Sequence, residues 1–136
     1  MDKLTNIEIG TFLKLFNRGG YVLDFTTNDF DVFTMESIGI ALCNEYHMSK
    51  GKSLAAYVNS ASTSDIEKLL NDLLSYYEEN YEQEYTENLT DDEYSYCQYN
   101  AEYARLYKKC RAYMNRVLNN TTPLAVNATE LQEKFS

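Results

Sequence analysis

An apolar repeat in the middle of the chain constrains the fold more than any other feature of the sequence. Its members are spaced three and four residues apart, as on one face of an α-helix: Ile66, Leu69, Leu70, Leu73, Leu74 and Tyr77. Ser62, followed three residues later by Asp65, resembles the capping box that commonly begins a helix. We therefore predict a helix from Ser62 to about Tyr81, whose apolar face other elements must cover.

Four further segments carry apolar residues at helical spacing. Gly19 and Gly20 should end the first of them, and a true capping box of Thr90 and Glu93 should begin the last. The predicted helices run approximately over Leu4 to Phe16, Thr34 to Glu45, Ser53 to Asn59, and Thr90 to Leu118.

The segment near residues 21–33 departs from this helical pattern. Residues 21–25 are aromatic and β-branched, and turn-prone residues follow them, which is typical of extended chain or a short strand. A chain of 136 residues has the usual size of one domain. We predict an all-α fold of about five helices with one long C-terminal helix and room for a short β excursion. We expect residues 1–120 to form the domain, and residues 121–136 to form a linker and the start of a following helix.

The charge balance restricts the partners. The chain carries 21 Asp and Glu against 12 Lys and Arg, a formal net charge of −9, so its field repels phosphate and favours a basic partner. We expect no direct nucleic-acid binding and no membrane association, and the absence of a signal peptide or long apolar run predicts a cytoplasmic protein. Eight carboxylates without a Lys or Arg lie in residues 78–93. They predict a mobile, solvated loop around residues 82–90 or, alternatively, a surface that imitates phosphates.

The residue types that support catalysis or metal binding are sparse. His47 is the single histidine, and the three cysteines, Cys43, Cys97 and Cys110, lack the spacing of a zinc site and should pack as small apolar residues. Gly51, Lys52 and Ser53 resemble the end of a phosphate-binding loop, but Tyr46 occupies the position where that loop needs its first glycine. We therefore predict no enzyme activity, no cofactor and no metal site.

Two surfaces are candidates for partner binding. Lys50 and Lys52 are neighbouring cations in an acidic chain, in a turn that either contacts an acidic partner or phosphate or simply precedes a helix. The long C-terminal helix carries tyrosines on several faces next to basic residues, which is typical of a protein interface, although an amphipathic helix edge would look similar. Its candidate residues are Tyr94, Tyr103, Tyr107, Tyr113, Lys108, Lys109 and Arg111.

Residues 15–34, then residues 49–54, and further on residues 68–77 resemble an N-terminal domain of bacterial abortive-infection proteins of the AbiJ-like kind. The resemblance covers about the first 80 residues, whereas the tyrosine-rich helix is similar only in general character. It implies a phage-defence protein in which this domain senses, regulates or oligomerises through protein-protein contacts, and it transfers no catalytic residue. The main alternative is a free-standing phage protein that mimics nucleic acid and inhibits a host nucleic-acid enzyme such as a restriction or CRISPR nuclease. A small enzyme is the third.

Overall fold

The computed structural model describes residues 3–87 and 98–121, with side chains to residue 119. These residues form seven helices and one two-stranded antiparallel hairpin, which confirms the all-α prediction with a short β excursion. The helices are α1 (Asn6–Phe16), α2 (Thr27–Ile38), α3 (Leu42–Tyr46), α4 (Lys50–Val58), α5 (Thr63–Asn80), α6 (Glu82–Tyr85) and α7 (Ala101–Thr121). The strands are β1 (Asn17–Arg18) and β2 (Tyr21–Val22).

The hairpin uses the two glycines that were expected to end the first helix. α1 ends at Phe16, and Asn17 pairs with Val22 across the turn. Gly19 and Gly20 both have positive φ angles, 64° and 94°. Two consecutive residues with positive φ fit a type I′ turn, whose twist matches that of the two strands of a β-hairpin. The β excursion therefore begins four residues earlier than predicted, and helical residues occupy the second half of the predicted 21–33 range.

The predicted helix from Thr34 to Glu45 is wrong. Thr26 caps α2 instead, because its side-chain oxygen accepts a hydrogen bond from the Asp29 amide at 3.0 Å. Thr34 lies buried within α2, where its Oγ1 accepts from the Leu42 amide at 3.2 Å. Gly39 ends α2 in the left-handed conformation, with φ at 77°, so a single helix cannot continue into α3.

The central helix is confirmed. α5 spans Thr63–Asn80, Ser62 caps it, and all six residues of the apolar repeat are buried. α4 begins at Lys50, three residues earlier than predicted, because Ser49 is its cap. The predicted loop is wrong for residues 82–85, which form α6; residues 88–90 lie outside the described residues.

The long C-terminal helix starts later than predicted. Within the described residues it begins at Ala101, because the side-chain oxygen of Asn100 accepts from the amides of Glu102 and Tyr103 at 3.0 and 3.1 Å. The predicted capping box at Thr90 lies outside the described residues, as does the predicted linker after residue 121. The buried side chains of α7 are Ala104, Leu106, Cys110, Met114 and Val117.

The core lies between the two longest helices and the elements that cover them. α1 packs against α7, and α2 packs against α5. Arg116 on α7 donates two hydrogen bonds to the Glu8 carboxylate on α1, at 2.6 and 2.7 Å. These bonds lower the pKa of Glu8 to about 2. The first and last described helices are thus joined by apolar packing and by a charged pair.

Candidate functional site

Five tyrosines form one cluster where α5, α6 and α7 meet. The ring centroids of Tyr77 lie 5.3 Å from Tyr81, 5.6 Å from Tyr85 and 5.6 Å from Tyr107, and Tyr85 stacks on Tyr107 at 4.1 Å. Tyr103 joins the cluster through Arg18 of β1, because the Arg18 guanidinium lies 3.7 Å from the centroid of the Tyr103 ring. We call Tyr77, Tyr81, Tyr85, Tyr103 and Tyr107, with the ion pairs among them, the tyrosine junction.

An ion pair between Arg18 and Glu84 lies inside the tyrosine junction. The guanidinium donates to the two carboxylate oxygens at 3.2 and 2.9 Å and to the Leu15 carbonyl at 2.9 Å. The hydroxyl of Tyr77 donates to the same carboxylate at 2.7 Å. Burial acts to lower the pKa of Arg18, but the bonds to Glu84 outweigh burial and raise it. Arg18 therefore holds the hairpin against α6 as a permanent cation.

A second ion pair joins α5 to α7. Arg111 donates to both oxygens of Glu78 at 2.8 Å, and the Tyr107 hydroxyl donates to the same carboxylate. Burial acts to raise the pKa of Glu78, but the bonds from Arg111 and Tyr107 outweigh it and lower the pKa. Burial and the neighbouring Glu78 raise the pKa of Tyr107. The Glu78 carboxylate therefore has its hydrogen-bond partners within the protein, in Tyr107 and Arg111.

The described residues of the predicted C-terminal interface fall into three groups. Tyr103, Tyr107 and Arg111 are partly buried and belong to the tyrosine junction or its ion pairs. Tyr113 is partly buried against the core. Lys108 and Lys109 are exposed and make no ion pair with a described residue. Tyr94 lies outside the described residues.

The two lysines of the predicted basic turn occupy different environments at the start of α4. Lys50 is only 7% exposed, with its ammonium 4.7 Å from the Tyr21 ring centroid, whereas Lys52 is exposed. The Gly51 amide donates to the Gly20 carbonyl at 3.0 Å, and the Lys52 amide donates to the Ser49 hydroxyl at 3.3 Å. Two of the amides that a phosphate-binding loop would present are therefore engaged within the protein.

The candidate reactive side chains do not converge. His47 is exposed and ends α3, whereas Cys43 and Cys110 are buried free thiols. Burial raises the pKa of Cys110 to about 12, which disfavours its thiolate, and it also raises the pKa of Cys43. Cys97 lies outside the described residues, among which no three His, Cys, Asp or Glu side chains are placed to hold a metal ion.

A groove of about 370 Å³ lies between α2 and α5, and we call it the α2/α5 groove. Its lining residues are Phe33, Glu36, Ser37, Asp72, Ser75, Tyr76, Glu79 and Asn80. Phe33 and Tyr76 meet edge to face at 5.8 Å between centroids, and Phe25 stacks on Tyr76 at 4.4 Å. The groove therefore has an aromatic wall that the core supports from behind.

Carboxylates surround this aromatic wall. Asp72 accepts from the Ser37 hydroxyl at 2.6 Å and from the Lys68 ammonium at 2.9 Å. Glu36 and Glu79 are exposed and bond to no residue that the structure describes. On the outer side of α2, Val32 is 53% exposed and Met35 is 51% exposed. The α2/α5 groove thus combines apolar surface with two carboxylates, Glu36 and Glu79, that pair with no cation among the described residues.

Sequence reasoning missed the α2/α5 groove. One signal was present: Asp72, Ser75, Tyr76 and Glu79 follow the three- and four-residue spacing of a polar face opposite the apolar repeat. The other wall could not be placed, because the predicted helix began at Thr34 and left Phe33 outside it. The acidic run was also misread in part, since Glu78 and Glu84 form internal ion pairs, whereas Glu79 and Glu82 are exposed.

Comparison with known proteins gives no match: no family model, no curated protein and no solved structure matches the chain. Across residues 3–87 and 98–121, no helix has both the length and the apolar character that a membrane crossing requires. A functional interpretation therefore depends on the geometry and charge of the molecule itself.

Proposed function

We propose that this chain is a non-catalytic protein-binding domain, and that the α2/α5 groove is its contact surface. The resemblance of residues 15–77 to AbiJ-like domains supports a sensing, regulatory or oligomerisation role in an abortive-infection defence protein. In that role the domain would act in the cytoplasm through a protein partner, without binding nucleic acid directly.

The observation that carries the proposal is the contrast in hydrogen bonding between the groove and its surroundings. Glu36 and Glu79 have no partner among the described residues, although they adjoin a supported aromatic wall. Exposed apolar surface continues at Val32, one helical turn before Glu36. Aromatic residues are enriched in protein interfaces, and an apolar patch with a polar rim commonly marks one.

The inhibitor that imitates nucleic acid is the second candidate, and the exposed carboxylates Glu79 and Glu82 favour it. Both residues line a polar depression of about 480 Å³ that adjoins the α2/α5 groove at Ser75. Two other carboxylates of the acidic run, Glu78 and Glu84, are held by arginines, so the run offers fewer free charges than its sequence implies. This leaves the candidate with less support than the binding domain.

Site-specific photo-crosslinking tests the proposed surface. A benzophenone amino acid replaces Val32 beside the groove, which is 53% exposed, or, as the matched control, Ile7 on α1, which is 84% exposed. We expect the Val32 position to give a discrete adduct in phage-infected bacteria that the Ile7 position does not give. The adduct is identified by mass spectrometry, and binding of the captured protein is measured with purified proteins. Equal adducts at both positions, or none at Val32, would contradict the proposal.

The defence role is tested separately by phage plating. Cells carrying the intact gene are compared with cells carrying Glu36→Lys and Glu79→Lys together, or Glu45→Lys and Glu87→Lys as a control with the same change in charge. All four residues are exposed, so the variants should fold. We expect the groove variant alone to lose protection. If the unaltered gene gives no protection against any phage tested, the abortive-infection role is refuted while the binding function can still be measured.

A further inference from the structure

We infer that the α2/α5 groove receives an arginine side chain from a basic, partly apolar segment of the partner protein. This inference rests on the proposed binding function and adds the chemistry of the ligand. It has four supports, which are the charge of the groove, the chemistry of its wall, its size and surroundings, and the rigidity of its frame.

The charge of the groove favours a cation. Three of its lining residues are acidic: Glu36, Asp72 and Glu79. The nearby cation, Lys68, bonds to Asp72 at 2.9 Å, and Glu36 and Glu79 bond to no described residue. A chain with a formal net charge of −9 also attracts basic partners at long range and repels phosphate groups. A phosphorylated or nucleic-acid ligand would therefore enter against both the local and the overall field.

The wall of the groove favours arginine over lysine. A guanidinium is planar, stacks against aromatic rings and can bond to a carboxylate through two parallel hydrogen bonds. The α2/α5 groove supplies both kinds of partner, with Phe33 and Tyr76 in the wall and Glu36 and Glu79 beside them. The protein already uses this arrangement in its interior, where Arg18 lies over the Tyr103 ring and bonds to both oxygens of Glu84.

The size and surroundings of the groove indicate a segment of chain with apolar neighbours. A volume of about 370 Å³ is at the small end of the range for ligand pockets, so it can hold one or two side chains. Val32 lies one helical turn before Glu36 and extends the α2 wall with exposed apolar surface. An arginine side chain would fill the groove, and an apolar residue near it in the partner sequence would cover Val32.

The frame of the groove is fixed before any ligand binds. The Ser37 hydroxyl bonds to Asp72 at 2.6 Å and joins the two walls. The Tyr76 hydroxyl donates to Asp24 at 2.8 Å, and its ring stacks on Phe25. A preformed site loses less conformational entropy when it binds, so a short segment can bind measurably.

A peptide titration tests this inference. The probe is a short acetylated and amidated peptide in which arginine alternates with leucine, and its matched control replaces each arginine with citrulline, an uncharged isostere. Isotope-labelled protein is titrated with each peptide and followed by NMR. We expect the arginine peptide to shift the amide signals of Ser37, Ser75 and Asn80, and the citrulline peptide to bind at least about tenfold more weakly.

Variants of equal charge separate a specific site from general attraction. Glu36→Gln with Glu79→Gln should weaken binding of the arginine peptide by about tenfold, whereas Glu45→Gln with Glu87→Gln should leave it nearly unchanged. Equal losses in both variants would mean general attraction to an acidic surface and would overturn the inference. Signal shifts confined to α7, or self-association of the free protein that closes the groove, would overturn it as well.

The two proposals can fail independently. If Val32 crosslinks to a partner whose binding does not require arginine, the binding function stands and the inference about the ligand is refuted. If Val32 gives no adduct while the arginine peptide binds in the α2/α5 groove, the site exists and the proposed cellular role of this surface is refuted.

Discussion

The tyrosine junction and the α2/α5 groove are made from the same residue types, but the carboxylates of the junction are paired with arginines and the exposed glutamates of the groove are not. In the junction, Glu78 and Glu84 each accept bonds from an arginine and a tyrosine. In the groove, Glu36 and Glu79 stand beside aromatic rings without a cation from the described residues. A list of tyrosines and acids does not separate an interior from an interface, whereas the pairing of each polar atom does.

This difference predicts where substitutions act. A buried ion pair contributes modestly as a pair, but the loss of one member leaves a buried charge without compensation. An exposed carboxylate that bonds to nothing within the protein can change with little effect on folding. Variants of the junction should therefore lower stability, whereas variants of the groove should lower binding.

The largest effect is expected from Arg18→Met. It leaves Glu84 buried without its cation and should lower the free energy of unfolding by about 3 kcal/mol. Urea denaturation followed by circular dichroism measures the change. The matched control is Lys68→Met, which removes the exposed pair with Asp72 beside the groove and should cost less than about 0.5 kcal/mol. Equal losses would break the distinction between the two regions.

The pH dependence of the free energy of unfolding should distinguish the internally paired carboxylates from those of the groove. The Arg116 bonds lower the pKa of Glu8 from 4.5 to about 2, so the carboxylate stabilises the fold fully above pH 4.5. That contribution falls as the pH drops from 4.5 towards 2, and it amounts to about 1–2 kcal/mol. Glu8→Gln should remove this part of the pH dependence of unfolding, and Glu36→Gln should retain it. An identical acid limb in Glu8→Gln and the unaltered protein would contradict the role of this pair.

Tyr107→Phe should have a smaller effect of about 1 kcal/mol on the free energy of unfolding, because it removes one hydrogen bond to Glu78 while Arg111 remains. Tyr113→Phe is the matched control, since the Tyr113 hydroxyl bonds to no described residue, and it should stay within about 0.5 kcal/mol. Thermal denaturation of both variants makes the comparison. If Tyr113→Phe lowered the free energy of unfolding more than Tyr107→Phe does, the hydrogen bonds of the tyrosine junction would not be the stabilising ones.

The smallest effect on folding is expected for Glu36→Gln with Glu79→Gln. Neither carboxylate bonds to a described residue, so the free energy of unfolding should change by less than about 0.5 kcal/mol, while peptide binding weakens. Urea denaturation gives the first quantity, and the peptide titration gives the second. A stability loss above about 1 kcal/mol would mean that the groove carboxylates support the fold and are not reserved for a partner.

The sequence predicted the elements whose local signals agree with their packing. In α5 the Ser62 cap and the apolar repeat indicate the same helix, and the structure contains it. In α2 two threonines compete as caps, and the sequence does not show that Thr34 is buried and accepts a bond from the Leu42 amide at the start of α3. Tertiary contacts decide between such local alternatives.

The same reason limits what could be predicted about the sites. The tyrosine spacing of α7 was visible, but the partners of Tyr103 and Tyr107 come from β1 and α5, which are distant in sequence. Glu84 belongs to a run of acids that is typical of solvated chain, and only the fold brings Arg18 to it. Long-range pairing therefore separates the internal charges from the free ones, and one-dimensional patterns do not contain it.

The pair between Glu8 and Arg116 has a consequence for biosynthesis. The two residues are 108 positions apart, so at ribosomal rates of 5–20 residues per second Arg116 is made about 5–20 s after Glu8. Throughout that interval α1 has neither its ionic partner nor the helix against which it packs. The part of the buried face of α1 that packs against α7 stays uncovered until translation supplies that helix. The last described helix to be synthesised thus completes the folding of the first.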